Sequence, residues 1–327
     1  MGDLARVDIN LYIGSRDDAS DTETLQQKEV THILTIDVKP LPTTQQMTFQ
    51  CKFIHALDDP ETDLLSYFEE CIQFIEDGVK MGGVLVHCAA GVSRSATITA
   101  AYLMRKHNIG VEEALGKIEE KRHVGPNPGF MQQLHLFEEM GSRLDQKHPK
   151  YKIYFWNKLS ARVQAARSLE DINADTLEPD PSVGGTGGET VYRCKKCRRI
   201  LFKQTSFLSH SEGTGEAAFD WRRDSIKHDG SHSSSDEKET MCSQSYFIEP
   251  VQWMSDCISS LEGKLSCPKC NAKLGSFNWA GERCPCGAWI TPAFHIQIQK
   301  VDKSSPRSLP VTVPPQCRTT ANQTTLT

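Results

Sequence analysis

Nowhere in the 327 residues does an apolar run approach the roughly 18 residues that a membrane-spanning helix needs. The opening stretch, Met1 to Ile13, carries Asp3, Arg6 and Asp8 where a secretory leader would carry an apolar core. Basic charge is not in excess: 37 Lys and Arg stand against 42 Asp and Glu, a formal net charge of -5. The chain as a whole therefore offers no general attraction to nucleic acid, and such a partner would have to be held by a local patch. These absences lead to the expectation of a protein of the cytosol or nucleus, with no membrane partner. Disulfides are disfavoured in that reducing setting, so the 12 cysteines need another explanation. Metal ligation or catalysis accounts for any that cluster. Beyond the cysteine pairs there is no internal repeat.

The length suggests about two domains. Residues 1–148 alternate strand and helix signals. Leu11–Gly14, Ile33–Ile36, Phe53–Leu57 and Val84–Val86 read as strands, the last as one buried on both faces. Leu65, Phe68, Ile72, Ile75 and Val79 share a helical face, with Asp63 as its expected N-cap. Further helices are expected over Ser95–Lys106, over Glu112–Glu120, and from Pro128 onward, where Phe130, Leu134, Phe137 and Leu144 face inward. The pattern predicts an α/β domain with a central, mostly parallel sheet. Residues 149–190 read as a helical extension, Tyr151 to Arg167, followed by a flexible linker from Glu178 to Thr190 rich in Gly and Pro. A second, small and β-rich domain is expected over 191–301, with a disordered polar insert at 211–239 and a floppy tail at 302–327.

The stretch His87-Cys88-Ala89-Ala90-Gly91-Val92-Ser93-Arg94-Ser95 follows the buried strand and opens a helix. The backbone amides of Ala89, Ala90, Gly91, Val92, Ser93 and Arg94 can curl around one tetrahedral dianion, with the helix dipole behind them. Gly91 supplies the backbone freedom of a tight loop. Cys88, at the bottom of such a cradle, is favoured as thiolate. Arg94 can grip two phosphoryl oxygens at once, and Ser95 can donate to the sulfur when it leaves. The alternative is a buried strand cysteine followed by an ordinary helix.

These residues fit His-Cys-x5-Arg-Ser/Thr, and the chain here resembles the protein tyrosine phosphatase superfamily. The resemblance extends to Ile9–Ser15 and to Val124–Phe130 with Gln133-Leu134. It implies a phosphatase working through a cysteinyl-phosphate, without a catalytic metal, and supported by His87. Such an enzyme needs a general acid. Asp58-Asp59-Pro60-Glu61 lies at a strand end, 30 residues before Cys88. In dual-specificity members the acid is followed five residues later by Asp or Asn and then Leu. Asp58 meets this through Asp63-Leu64, and Asp59 does not. The bland reading is an acidic turn that caps the next helix. Asn127 either buttresses the phosphate loop or is a turn-forming Asn before Pro. The loop has no Lys, unlike many phosphoinositide phosphatases of the superfamily. It also lacks the Asn-Arg-Thr of RNA triphosphatase relatives. Phosphoprotein is therefore the expected substrate. The compact domain resembles dual-specificity enzymes, which implies phosphoserine and phosphothreonine as well as phosphotyrosine.

Three close cysteine pairs mark the second domain: Cys194/Cys197, Cys267/Cys270 and Cys284/Cys286. Such spacings suit tetrahedral zinc. Cys267, Cys270, Cys284 and Cys286 are expected to form one four-thiolate set. Cys194 and Cys197 are expected to take His210 and Cys242, from either side of the insert, with His228 and His232 also nearby. The spacing leaves open an interleaved arrangement in which Cys194/Cys197 share an ion with the last pair. Cys257, Cys51 and Cys71 read as packing residues and Cys317 as a tail thiol.

Phe247–Met254, Cys267-Pro268-Lys269-Cys270-Asn271 and Gly275–Trp279 are similar to the dual-specificity protein phosphatase 12 family and its fungal counterparts. That resemblance implies two structural zinc ions. It also implies a zinc domain that serves assembly of the large ribosomal subunit, docking on pre-ribosomal particles, and a protein both nuclear and cytoplasmic. Trp279 and Trp289 could make that contact or simply pack in the core.

Overall fold

The computed structural model describes residues 4–168, 172, 175–183, 188–213 and 242–305. The chain divides into two units, Met1–Ala166 and Arg167–Thr327.

The first unit opens with β1 (Ala5–Asp8) and β2 (Leu11–Gly14), followed by α1 (Arg16–Ser20) and α2 (Thr22–Gln27). Next come β3 (Val30–Asp37), α3 (Thr43–Thr48), β4 (Gln50–His55), α4 (Phe68–Met81) and β5 (Gly83–His87). Four helices complete it: α5 (Arg94–His107), α6 (Val111–Glu119), α7 (Pro128–Glu139) and α8 (Pro149–Ala166). The sheet runs in the order β1-β2-β5-β3-β4, with only the β1/β2 pair antiparallel. Central β5 is buried at every residue, which explains its unbroken apolar run. Its parallel neighbours share its direction, so β3, β4 and β5 all finish at one edge. There Asp37 pairs with His55 and Thr35 with His87. Open parallel sheets assemble their sites at this edge.

Leu65, Phe68, Ile72 and Ile75 are buried in the main core, and Phe68 meets Phe137 edge-on at 5.1 Å. Each such side chain contributes on the order of 1.5–3 kcal/mol by leaving water. The start of α4 corrects the sequence reading. Leu65–Tyr67 is a short 3-10 turn ahead of the helix, and Asp63 accepts from the Ser66 N–H of that turn at 3.2 Å and not from α4. β1 and the three short helices went unanticipated. α1 and α2, of five and six residues, are set by caps (Ser15 with Asp18, then Asp21) and not by apolar period.

Among the described residues the second unit has no α-helix. Its strands are β6 (Val191–Cys194), β7 (Ile200–Lys203), β8 (Tyr246–Phe247), β9 (Glu262–Ser266) and β10 (Lys273–Asn278). β11 (Glu282–Arg283), β12 (Trp289–Ile290), β13 (Ala293–Ile296) and β14 (Val301–Ser304) follow. They form antiparallel sheets β14-β6-β7, β8-β13-β10-β9 and β11-β12. Trp279 is fully buried, edge-on to Phe294, whereas Trp289 is 60% exposed.

Two expected boundaries move. Residues 302–304 are strand, paired with β6, and not tail. The stretch from Leu177 to Ser182 is docked and not free linker. Leu177 is buried, Glu178 exchanges backbone hydrogen bonds with Pro250 and Gln252, and Asp180 pairs with Arg199. Gly184, Gly185 and Gly187, the insert from 214 onward with His228 and His232, and the tail from 306 with Cys317 lie outside the described residues.

Candidate active site and metal centres

The loop between β5 and α5 is shaped by what surrounds its carbonyls. The Ala89 carbonyl accepts from the Arg16 N–H, Val92 from the Gly125 N–H, and Ser93 from the Thr97 N–H. Arg122 donates to the Ala90 and Gly91 carbonyls, each at 3.1 Å. The Cys88 carbonyl lies 3.3 Å from His87 Nδ1. In a trans peptide each C=O points opposite to the next N–H. Six carbonyls turned outward therefore turn the amides of Ala89 to Arg94 inward, into one anion-binding cradle. Gly91 sits at φ 73, and a Cβ there would come 2.5 Å from the Gly14 carbonyl oxygen, so this position admits no other residue without rearrangement.

Cys88 is 1% exposed at the floor of this cradle. Its Sγ accepts from the Gly91 N–H at 3.2 Å and lies 3.3 Å from Ser95 Oγ. His87 is fully buried, and burial pushes its pKa down to about 4, so the ring is neutral. Because a carbonyl only accepts, Nδ1 carries the proton and Nε2 accepts from Thr35 Oγ1 at 2.8 Å.

The Arg94 guanidinium is buried and held by one edge. Nη1 donates to Asp37 Oδ1 at 3.1 Å and to the Ala56 carbonyl at 3.0 Å. Nε is buried without a hydrogen-bond partner, 3.7 Å from Asp58 Oδ2. An oxyanion in the cradle would satisfy it. Asp37 also accepts from Arg16 at 2.9 Å and from the Val38 N–H at 2.8 Å. Burial works to raise the Asp37 pKa, but these donors and the two guanidinium groups outweigh it and hold the carboxyl below its usual range.

Asp58 reaches over the cradle from the loop after β4. Its Oδ1 accepts from Ser93 Oγ at 2.7 Å and from Asn127 Nδ2 at 2.9 Å. The Asn127 N–H also donates to Ser93 Oγ, and Asn127 Oδ1 caps α7 through the Phe130 N–H. Asn127 thus both buttresses the site and starts a helix. Asp59 turns away, accepting from the Glu61 N–H at 2.8 Å. The arrangement offers a nucleophilic sulfur, inward amides, a free guanidinium edge and one carboxylate opposite the sulfur.

Eight metal-ligating side chains of the second unit gather into two clusters, but not in the expected pairing. Cys194, Cys197, Cys267 and Cys270 form one; His210, Cys242, Cys284 and Cys286 form the other. Sulfur separations are 3.7 Å for Cys194/Cys270, 3.6 Å for Cys197/Cys267 and 3.6 Å for Cys242/Cys284. Tetrahedral zinc with Zn–S of about 2.3 Å requires roughly 3.75 Å between sulfurs. Cys286 Sγ lies 3.4 Å from His210 Nε2. The donor sets therefore fit zinc. The correction has a plain cause. Cys194/Cys197 sit in the β6–β7 hairpin and Cys267/Cys270 in the β9–β10 hairpin, and these two turns face each other. The Cys284/Cys286 turn, between β11 and β12, meets the base of the insert, where the Cys242 N–H donates to the His210 carbonyl at 3.1 Å. Cys257 is half-buried, its Sγ donating to the Met254 carbonyl.

Residues 11–140 match the family described as "Dual specificity phosphatase, catalytic domain". The chain is 39% identical over 307 residues to rat dual specificity protein phosphatase 12, covering 92% of this chain and 89% of the relative. It is 34% identical to tyrosine-protein phosphatase YVH1 of Saccharomyces cerevisiae, covering 84% of each. The crystal structure of the Yvh1 phosphatase domain from Chaetomium thermophilum is similar at 29% identity and TM-score 0.41, covering 44% of this chain and 99% of that one. The chain belongs to the dual specificity protein phosphatase 12 family. It is a protein tyrosine and serine/threonine phosphatase, and the family resemblance read from residues 87–95 and 247–279 is shown across both units.

The roles of four residues in this family member's site escaped the sequence reading. Asp37 could have been found by the strand-end argument that found Asp58, since it closes β3 as Asp58 follows β4. Arg122 and its partner Asp18, 3.3 Å apart, carry no local signal. Gln133 is buried and its Oε1 accepts from the Leu64 and Leu65 N–H groups, each at 2.8 Å, pinning the end of the acid loop.

Proposed function

We propose that Cys88 attacks the phosphorus of a phosphoprotein monoester while Asp58 protonates the leaving oxygen. The S–P bond forms as the O–P bond breaks, and the loop amides with Arg94 carry the charge of the transferring group. Oδ1 of Asp58 already accepts two hydrogen bonds, so the proton belongs on Oδ2, the oxygen nearer Arg94 Nε. Water then cleaves the thiophosphate. Asp58 takes its proton, and Ser95 Oγ donates to the departing sulfur. The observation that carries this reading is the buried Cys88 Sγ at the focus of inward amides, with Ser95 at 3.3 Å. Cys88→Ser protein should be inactive on an aryl phosphate. Asp58→Ala should lose about 10²–10⁴-fold and Asp59→Ala little. Turnover by the serine variant, or the reverse ranking of the two Asp variants, overturns the assignments.

A docking role for the second unit is favoured by a separate observation. Lys195, Lys196, Arg198, Lys269 and Lys273 are exposed around the four-cysteine cluster, where Arg198 pairs with Asp302. Four thiolates on Zn²⁺ carry a net charge of about -2, so the rim is net basic despite the acidic chain. This is the local patch that a nucleic-acid-bearing partner requires. It favours a unit that docks on pre-ribosomal particles, in our reading held by two structural zinc ions at the two clusters and working in the nucleus and cytoplasm. Trp289 is available to such a contact, and buried Trp279 is not. Charge reversal at Lys195, Lys196, Lys269 and Lys273 should release the protein from sedimenting pre-ribosomal particles, whereas Cys88→Ser should stay bound. Rescue of growth by Cys88→Ser in cells lacking the native protein would make docking the principal cellular role.

A further inference from the structure

The helix α8 begins nine residues after the matched catalytic span ends at 140, yet it grips the acid loop. Tyr154 Oη donates to Asp63 Oδ1 at 2.8 Å. Lys158 Nζ donates to both the backbone carbonyl and the carboxylate of Glu61, each at 2.9 Å, and lies 5.9 Å from the Tyr154 ring centroid. The loop also rests on α7, where a Cβ on Gly129 would come 2.0 Å from the Pro60 carbonyl oxygen. We propose that Tyr154 and Lys158 are positioning residues that hold residues 58–64 so that Asp58 meets the leaving oxygen. The inference rests on the reading of Asp58 as the general acid.

Polar contacts, more than packing, must do this holding. Glu61 is 83% exposed. A cavity of about 330 Å³, lined by Pro60, Glu61, Gln132, Asn157 and Lys158 among others, remains beside the clamp. The loop tip therefore has room to shift toward α8 if the hydrogen bonds are lost. Burial, with Asp63 alongside, pushes the Tyr154 phenol pKa well up, so it stays a donor. The ion pair alone would be worth little at this exposure. The carbonyl and the Asp63 carboxylate give the clamp its direction. A misplacement of about 1 Å can cost on the order of 10²-fold when a catalytic group must meet a reacting atom.

A positioning role predicts a defect that depends on the leaving group, because a displaced acid matters most when the departing oxygen is basic. Full-length Tyr154→Phe, Lys158→Met and the double variant are compared with the unaltered chain on 4-nitrophenyl phosphate and phenyl phosphate. The double variant should lose about tenfold more kcat/KM on phenyl phosphate than on 4-nitrophenyl phosphate, a part of the general-acid contribution. Tyr154→Phe removes one oxygen and keeps the ring, so it preserves packing and should show the same selectivity at smaller size. Equal losses on the two substrates, or none, overturn the clamp. Asp58→Ala in the same assay separates the two claims. If it is leaving-group selective and the α8 variants are not, only the clamp fails. If it loses equally on both, the acid assignment fails and takes the clamp with it.

Discussion

The phosphate loop and the metal clusters place their key atoms with comparable closeness, but from opposite kinds of sequence. The loop is nine consecutive residues, 87–95, between a strand and a helix. The metal clusters draw on ligands up to 76 residues apart, as with Cys286 and His210. A contiguous motif carries its own geometry, because the chain between its members is short and stiff. A dispersed ligand set takes its geometry from whichever turns the sheets bring face to face. The units also differ in what holds them. The first has a large apolar core across sheet and helices. The second, built of short strands, gathers eight ligands that would bind it together through metal.

Metal removal is the strongest way to break this comparison. Thiolate ligation couples metal binding to folding. A tight chelator should abolish the structure of residues 191–304, seen as lost near-ultraviolet dichroism of Trp279, while aryl phosphatase activity persists. Loss of activity while the first unit remains folded would show that the two regions are not separable.

The pairing of ligands can be sharpened by counting metal. If the two hairpins share an ion, Cys194→Ser, Cys267→Ser and the combination should each cost the same single zinc. Retention of about one zinc per chain in the double variant supports the clusters. Loss of both would show that Cys194 and Cys267 hold different ions, as either pairing read from sequence requires.

Asp37→Asn tests whether the first unit depends on a residue outside its motif. It removes the charge that fixes Arg94 Nη1 but nearly keeps the shape. Hydrogen bonds to charged groups are worth about 1.5–3 kcal/mol, so kcat/KM should fall about 10- to 100-fold. Affinity for vanadate should weaken in parallel. Unchanged oxyanion affinity would show that Arg94 holds itself in place.

A further effect concerns pH. The folded-state pKa of His87 is lowered to about 4 from 6.5. Between those values the unfolded chain binds the proton and the folded chain does not, so stability rises with pH across that window. It is fully present above 6.5 and lost as pH falls toward 4. The pairing of Asp37 with Arg16 and Arg94 is lost lower, below the ordinary carboxylate value of 3.8, because its pKa is depressed. Thermal melts of the first unit should therefore slope between pH 6.5 and 4, and His87→Gln should flatten that limb. An unchanged slope would place the titration elsewhere.

The sequence by itself determined the reaction class and pointed to a nucleophile loop, a candidate acid and the eight residues that gather in the two candidate metal clusters. Each of these rests on residue type and short spacing, which survive without coordinates. Asp58 was separated from Asp59 by the residues that follow it, and the structure turns Asp59 away. What only the tertiary structure decided are relations between distant segments. Asp37 and Arg94 lie 57 positions apart, Arg122 and Asp18 104 apart, and Tyr154 and Asp63 91 apart. The same holds for the metal pairing, since four close-spaced thiols look alike whichever hairpin opposes them. Spacing along the chain limits which atoms can meet within a turn, but across a fold the register of strands and the packing of helices choose the partners.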